Sequence, residues 1–181
     1  TEIYGETVSM GPLGGLRENN LPEELLGKWV TFGEYLDYQE TTGSAINFGS
    51  YVGSGGIREV VMGYEDRDPT DDELEAMKKL VREAMREGAL GISAGMSYVP
   101  NIYMSTGELA ALVAESARLG GIFANHARTM NGTDPEAISE ALEIGELADA
   151  PVHFFHLNST SSTRADEFLS RIEAALDRGM Q

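Results

Sequence analysis

Between residues 70 and 136 one phrase recurs: a hydroxyl residue with glutamate three positions later. It reads Thr70-Asp71-Asp72-Glu73, then Ser105-Thr106-Gly107-Glu108, then Thr133-Asp134-Pro135-Glu136. This is the capping box, in which each end of the quartet satisfies a backbone N–H that a helix start leaves open. Behind each box the apolar residues fall at helical spacing: Leu74, Met77, Leu80, Val81, Ala84 and Met85; Leu109, Leu112, Val113 and Ala117; Ile138, Ala141, Leu142 and Leu147. Between the helices lie short apolar runs, ALGISAG, GIFANH and PVHFFH, which read as strands buried on both faces. These strands begin near residues 89, 121 and 151, about 30 apart, the length of a βα module. A last helix runs from about Thr163 to Arg178 and is closed by Gly179.

Strands of this kind in alternation with helices imply a parallel sheet covered by helices. Two architectures fit, an open doubly wound sheet or part of a (β/α)8 barrel. A complete barrel takes about 250 residues, and this chain has 181. Counting a first strand near Thr1 to Tyr4 and another in AINFGSYVG from Ala45, five strands are legible, so a barrel here is an incomplete one. Before Pro69 the pattern is looser. The spacing of Leu25, Trp29, Phe32, Tyr35 and Leu36 predicts a helix over Pro22 to Glu40, and residues 53 to 68 read as a glycine-rich, charged loop with a helical turn at Ile57 to Met62.

Charge narrows the partners. Thirteen Lys and Arg face thirty Asp and Glu, for a net charge of −17. Such a surface repels nucleic-acid phosphates and anionic headgroups, so neither nucleic acid nor membrane is expected as a partner. There is no apolar run near the roughly 20 residues of a membrane helix and no leader-like opening, which points to a cytoplasmic chain. Without cysteine, histidines and carboxylates are the metal ligands on offer.

In both architectures chemistry collects where strands run out into helices. Those positions hold Glu6, Asn47 to Ser54, Ser93 to Tyr98, Asn125-His126-Ala127-Arg128 and His156-Leu157-Asn158. His126 and His156 end consecutive strands, close enough for both side chains to reach one ion, with ordinary hydrogen bonding as the alternative. His153, three before His156, faces the other side of an extended strand and reads as helix-facing or partly exposed, not as a ligand. Arg128 can hold an anionic group or form an ion pair, and Tyr98 can donate a hydrogen bond into the site or line it. The VGSGG cluster lacks the ending of a P-loop and carries little weight.

Longer strings carry a resemblance. R-x-x-V-M-G (Arg58 to Gly63), PTDDELEAMKKLVREAMREGALGISAGMSYVP, YMSTGELAALVAESARLGGIFANHARTM and APVHFFHLNS resemble, in collinear order, the N-acyl-D-amino-acid deacylase family of the amidohydrolase superfamily. The opening TEIYGETVSMGP resembles the turn after the second barrel strand in one branch of that family. The resemblance implies a single partial (β/α)8 barrel domain over residues 1–181, about strands two to six, of the metal-dependent hydrolase type.

It further implies Zn²⁺ as cofactor, with His126 and His156 at the ligand positions after the fifth and sixth strands and Glu6 near the position of a cysteine ligand. The substrate implied is a small N-acyl amino acid or related amide. Arg128, Tyr98, Asn158 and Ser54 fall at pocket positions. Ser54 stands where the family has a His in a G-H-G-T-x-R-like loop, Asn158 where it has a Lys near the substrate carboxylate, and Met130 where an acidic residue is frequent. The first-strand His-x-His pair and the final Asp have no counterpart in this chain, which therefore reads as an inactive internal fragment. Two other readings stand beside it: a non-catalytic truncated barrel that forms a homo-oligomer through its open edges, and an unrelated α/β domain that binds small molecules.

Overall fold

The computed structural model describes residues 2–5, 11, 23–25, 27–128, 135–157 and 162–181, with the side chains of 162 and 163 left aside. The elements run β1 (Glu2–Tyr4), α1 (Phe32–Thr42), β2 (Phe48–Ser50), β3 (Val52–Gly53), α2 (Ser54–Met62), α3 (Asp71–Arg86) and β4 (Gly91–Gly95). They continue as α4 (Thr106–Ala117), β5 (Ile122–His126), α5 (Pro135–Ala148), β6 (Val152–Phe154) and α6 (Ser162–Asp177), with short 3-10 turns at Glu23–Leu25 and Asn101–Tyr103. Among the described residues no helix is long and apolar enough to cross a membrane.

Every ladder is parallel: β1 pairs with β2, and β3, β4, β5 and β6 pair in that order. Tyr51 alone separates β2 from β3. Its N–H donates to Tyr4 O at 3.0 Å on one side of this run, while Leu90 N donates to Ser50 O at 3.0 Å on the other. The strands are thus neighbours in sequence order throughout, without the order reversal of a doubly wound sheet. The sheet also curls. Phe155, just past β6, meets Tyr51 with ring centroids 6.1 Å apart. In a flat sheet three strand spacings put these backbones about 14 Å apart, so the rings meet because the sheet bends round a concave face. This is a sector of a barrel.

Register sorts the two faces. Val52, Ile92, Phe123 and Val152 form one row. They pack with Met77, Val81, Leu109, Leu112, Val113 and Ile144 of the helices into the main core. The opposite row is Gly53, Ser93, Ala124 and His153. His153 is exposed, but it does not face the helices: it shares the face of Ala124 and therefore of His126, two residues on. Alternation misplaces it because β6 ends at Phe154, so counting back from His156 crosses the end of the strand.

Two local expectations are also corrected. The helix expected from Pro22 starts at Phe32, where Thr31 accepts from Glu34 N at 3.2 Å and Glu34 accepts from Thr31 N at 3.0 Å. The apolar spacing runs straight through this capping box and hides it. Where a loop was expected, α2 begins at Ser54 directly after β3, with Gly55 in its first turn. A Cβ on Gly55 would stand 3.1 Å from Asn101 Nδ2. The glycine answers a close neighbour rather than a need for flexibility.

Candidate metal centre

His126 is the last residue of β5 and half-buried, while His156 lies two residues beyond β6 and is exposed. His156 has φ 28°, a conformation that costs an L-residue on the order of 1–2 kcal/mol. That turn brings it to its partner. His126 Nδ1 and His156 Nε2 are 3.1 Å apart, with ring planes at 76°. The Tyr98 ring lies against His126, centroids 5.1 Å apart, so His126 is flanked by two aromatic rings.

The spacing of the two nitrogens bears on metal binding. In tetrahedral zinc with Zn–N near 2.0–2.1 Å, two nitrogens lie about 3.3 Å apart. The observed 3.1 Å suits two ligands of one ion, and equally one ring donating to the other when no ion is bound. Among the described residues no group of three or more His, Asp or Glu side chains converges on a metal position. The imidazole pair is what the described residues supply.

The other expected site residues divide. Glu6 and Asn158 lie outside the described residues. Tyr98, half exposed, is beside the pair. Ser54 is fully buried, its hydroxyl donating to Asn101 Oδ1 at 3.0 Å, so it lies beneath the loop after β4 and away from the open surface. Arg128 Nε donates to Glu140 at 3.0 Å, while its Nη1 and Nη2 donate to the carbonyls of Ile102 at 2.8 Å and Met104 at 2.9 Å. Glu140 and Asn101 were not singled out in sequence. Their contacts link segments distant along the chain, and no local spacing announces them.

Farther from the pair, Arg58 and Glu108 form a fully enclosed ion pair, with Arg58 also donating to the carbonyls of Glu65 and Arg67. Burial pushes the Glu108 carboxyl above the usual range, and the Arg58 guanidinium pulls the other way. This pair ties the segment before α3 to the start of α4.

Parallel strands in sequence order, curled round a concave face with two histidines at neighbouring carboxyl ends, define part of a (β/α)8 barrel of the metal-dependent hydrolase type. No protein-family model matches the chain. The D-aminoacylase of Alcaligenes xylosoxydans xylosoxydans is 36% identical over 154 residues, which is 83% of this chain and 32% of that protein. A D-aminoacylase crystal structure, described as defining a novel subset of amidohydrolases, superposes with a TM-score of 0.84 at 31% identity, over 98% of this chain and 39% of that one. An N-acyl-D-glutamate deacylase from Bordetella bronchiseptica, complexed with zinc and a phosphonate mimic of the tetrahedral intermediate, superposes with a TM-score of 0.84 at 25% identity, over 100% of this chain and 40% of that one. The chain belongs to the D-aminoacylase family of amidohydrolases. It spans about a third of the length of the curated relatives it matches.

Proposed function

We propose that these residues form one side of the active site of a zinc-dependent amidohydrolase that removes the acyl group from N-acyl amino acids. The observation that carries this reading is the 3.1 Å approach of His126 Nδ1 to His156 Nε2 at the carboxyl ends of adjacent strands. Zinc, when bound, supplies Lewis-acid polarisation of the amide carbonyl and activates water for attack.

The chain's own residues prepare that place. His126 and His156 present ring nitrogens 3.1 Å apart, and Glu6 is proposed as an adjoining carboxylate ligand. Tyr98 offers a phenolic O–H beside His126, where it can donate to the amide oxygen as negative charge develops there. Asn158 supplies an amide and no charge to the substrate's carboxylate, which weakens the case for strict D-amino-acid selection. Two imidazoles leave an ion open to water and weakly held, so the 181 residues alone are expected to bind zinc without hydrolysing amides.

A chimera tests the reading. This chain replaces the matching third of the Alcaligenes D-aminoacylase, and the product is assayed for zinc content and for release of free amino acid from N-acyl-D- and N-acyl-L-amino acids. Zinc-dependent deacylation, lost on His126→Ala or His156→Ala, is the expected result. A folded, zinc-loaded chimera with no deacylase activity on either series contradicts it.

A further inference from the structure

We propose that Arg128 is a positioning residue: its guanidinium fastens the loop between β4 and α4 to α5, and through that loop holds the Tyr98 ring against His126. The placement follows from where its donors go. Nε is shared between Glu140 Oε1 at 3.2 Å and Oε2 at 3.0 Å, and Nη1 and Nη2 donate to Ile102 O at 2.8 Å and Met104 O at 2.9 Å. Thr106, the first residue of α4, adds its hydroxyl to Glu140 Oε1 at 3.2 Å. One planar group thus joins the end of β5, the far half of the loop and the first turns of α5. A lysine cannot do this, since its single ammonium does not match a carboxylate and two carbonyls in one plane. The pair is only partly exposed, with Arg128 at 28% and Glu140 at 20%.

The loop is held elsewhere too. Ser97 Oγ donates to Ala127 O at 3.2 Å and Met96 N to His126 O at 3.0 Å, while Ser54 holds Asn101 from α2. Between these fastenings Tyr98 N donates to Gly95 O at 3.0 Å, and Tyr98 O accepts from Ile102 N at 2.8 Å. Ile102 therefore connects the two ends of the device: its N–H holds Tyr98 and its carbonyl is held by Arg128. Releasing Arg128 lets the Ile102 turn move, and the Tyr98 ring with it.

The test needs no metal and no turnover, so it stands or falls separately from the zinc reading. With three histidines in the chain, the ring protons are resolvable by NMR, and single substitutions assign them. Tyr98→Leu sets the His126 ring-proton shift expected when the neighbouring ring is gone. Arg128→Gln is expected to move that shift towards the Tyr98→Leu value and to lose the Tyr98–His126 ring cross-peak, with Arg128→Lys restoring only part of both. Where Arg128→Gln fails to fold, Glu140→Gln supplies the same reading. His126 shifts and cross-peaks unchanged from wild type in the folded Arg128→Gln variant, or in Glu140→Gln where that variant is used, overturn the proposal. A loss of stability that leaves the Tyr98–His126 cross-peak in place likewise overturns it, because a merely structural role would lower stability and leave the ring contact alone.

Discussion

The two faces of the one curled sheet are built on different rules. The outer row of Val52, Ile92, Phe123 and Val152 is completed by helices of the same chain, and its meaning is packing. The inner row of Gly53, Ser93, Ala124 and His153 is small at three of its four positions. Small side chains leave room on a concave face for Tyr51 and Phe155 to meet across it. Above that row, at the carboxyl ends, sit His126 and His156. The outer face packs against helices, and the inner face presents two histidines 3.1 Å apart at its carboxyl end.

The comparison breaks first at Phe123. Phe123→Ala empties a fully buried outer position, and a cost of about 3–5 kcal/mol is expected from chemical denaturation. A cost near that of an exposed substitution would mean that the helix layer does not carry the stability.

A smaller effect comes from acid. Arg67 first, then the Thr70 backbone, hold the Glu73 carboxyl at the start of α3 down to about 2 from 4.5. A depressed carboxylate stabilises the folded state above its unfolded value and loses that contribution as pH falls through the folded one. Its share is therefore whole above about 4.5 and gone near 2. Glu73→Gln should flatten that part of a stability-against-pH curve for the helix layer, while an unchanged curve would remove Glu73 from the account. The smallest effect belongs to the inner face: His153→Ala, at an exposed position, should change stability by no more than about 0.5 kcal/mol. A larger loss would make the inner face a packing surface like the outer one.

Much of this was legible because it is local. The capping box at Thr70, the N-cap at Ser105 and the apolar runs between them specify helices and buried strands within a few residues, and these elements appear where expected; at Ser105 the box is half formed, since the hydroxyl accepts from Glu108 N while the Glu108 carboxylate turns to Arg58. The failures share a physical cause, which is dependence on something distant. Gly55 looks like loop until Asn101 is seen beside it, and Ser54 looks like a pocket residue until the same asparagine is seen to hold it. Arg128 stays open between an anionic group and an ion pair in the sequence, because neither Glu140 nor the carbonyls of Ile102 and Met104 carry any spacing signal. His126 and His156 were legible for the opposite reason. His126 ends an apolar strand and is placed by it, consecutive strands in sequence order bring the next strand end alongside, and the turn at His156, two residues beyond β6, completes the approach.

The central claim is that those two ends make one side of a metal site, and a calorimetric zinc titration addresses it directly. A net charge of −17 attracts cations over the surface in general, so the comparison must be among single variants. The account predicts one ion bound per chain by wild type and by His153→Ala, with affinity falling more than about tenfold in both His126→Ala and His156→Ala. Equal binding by all four proteins would contradict it.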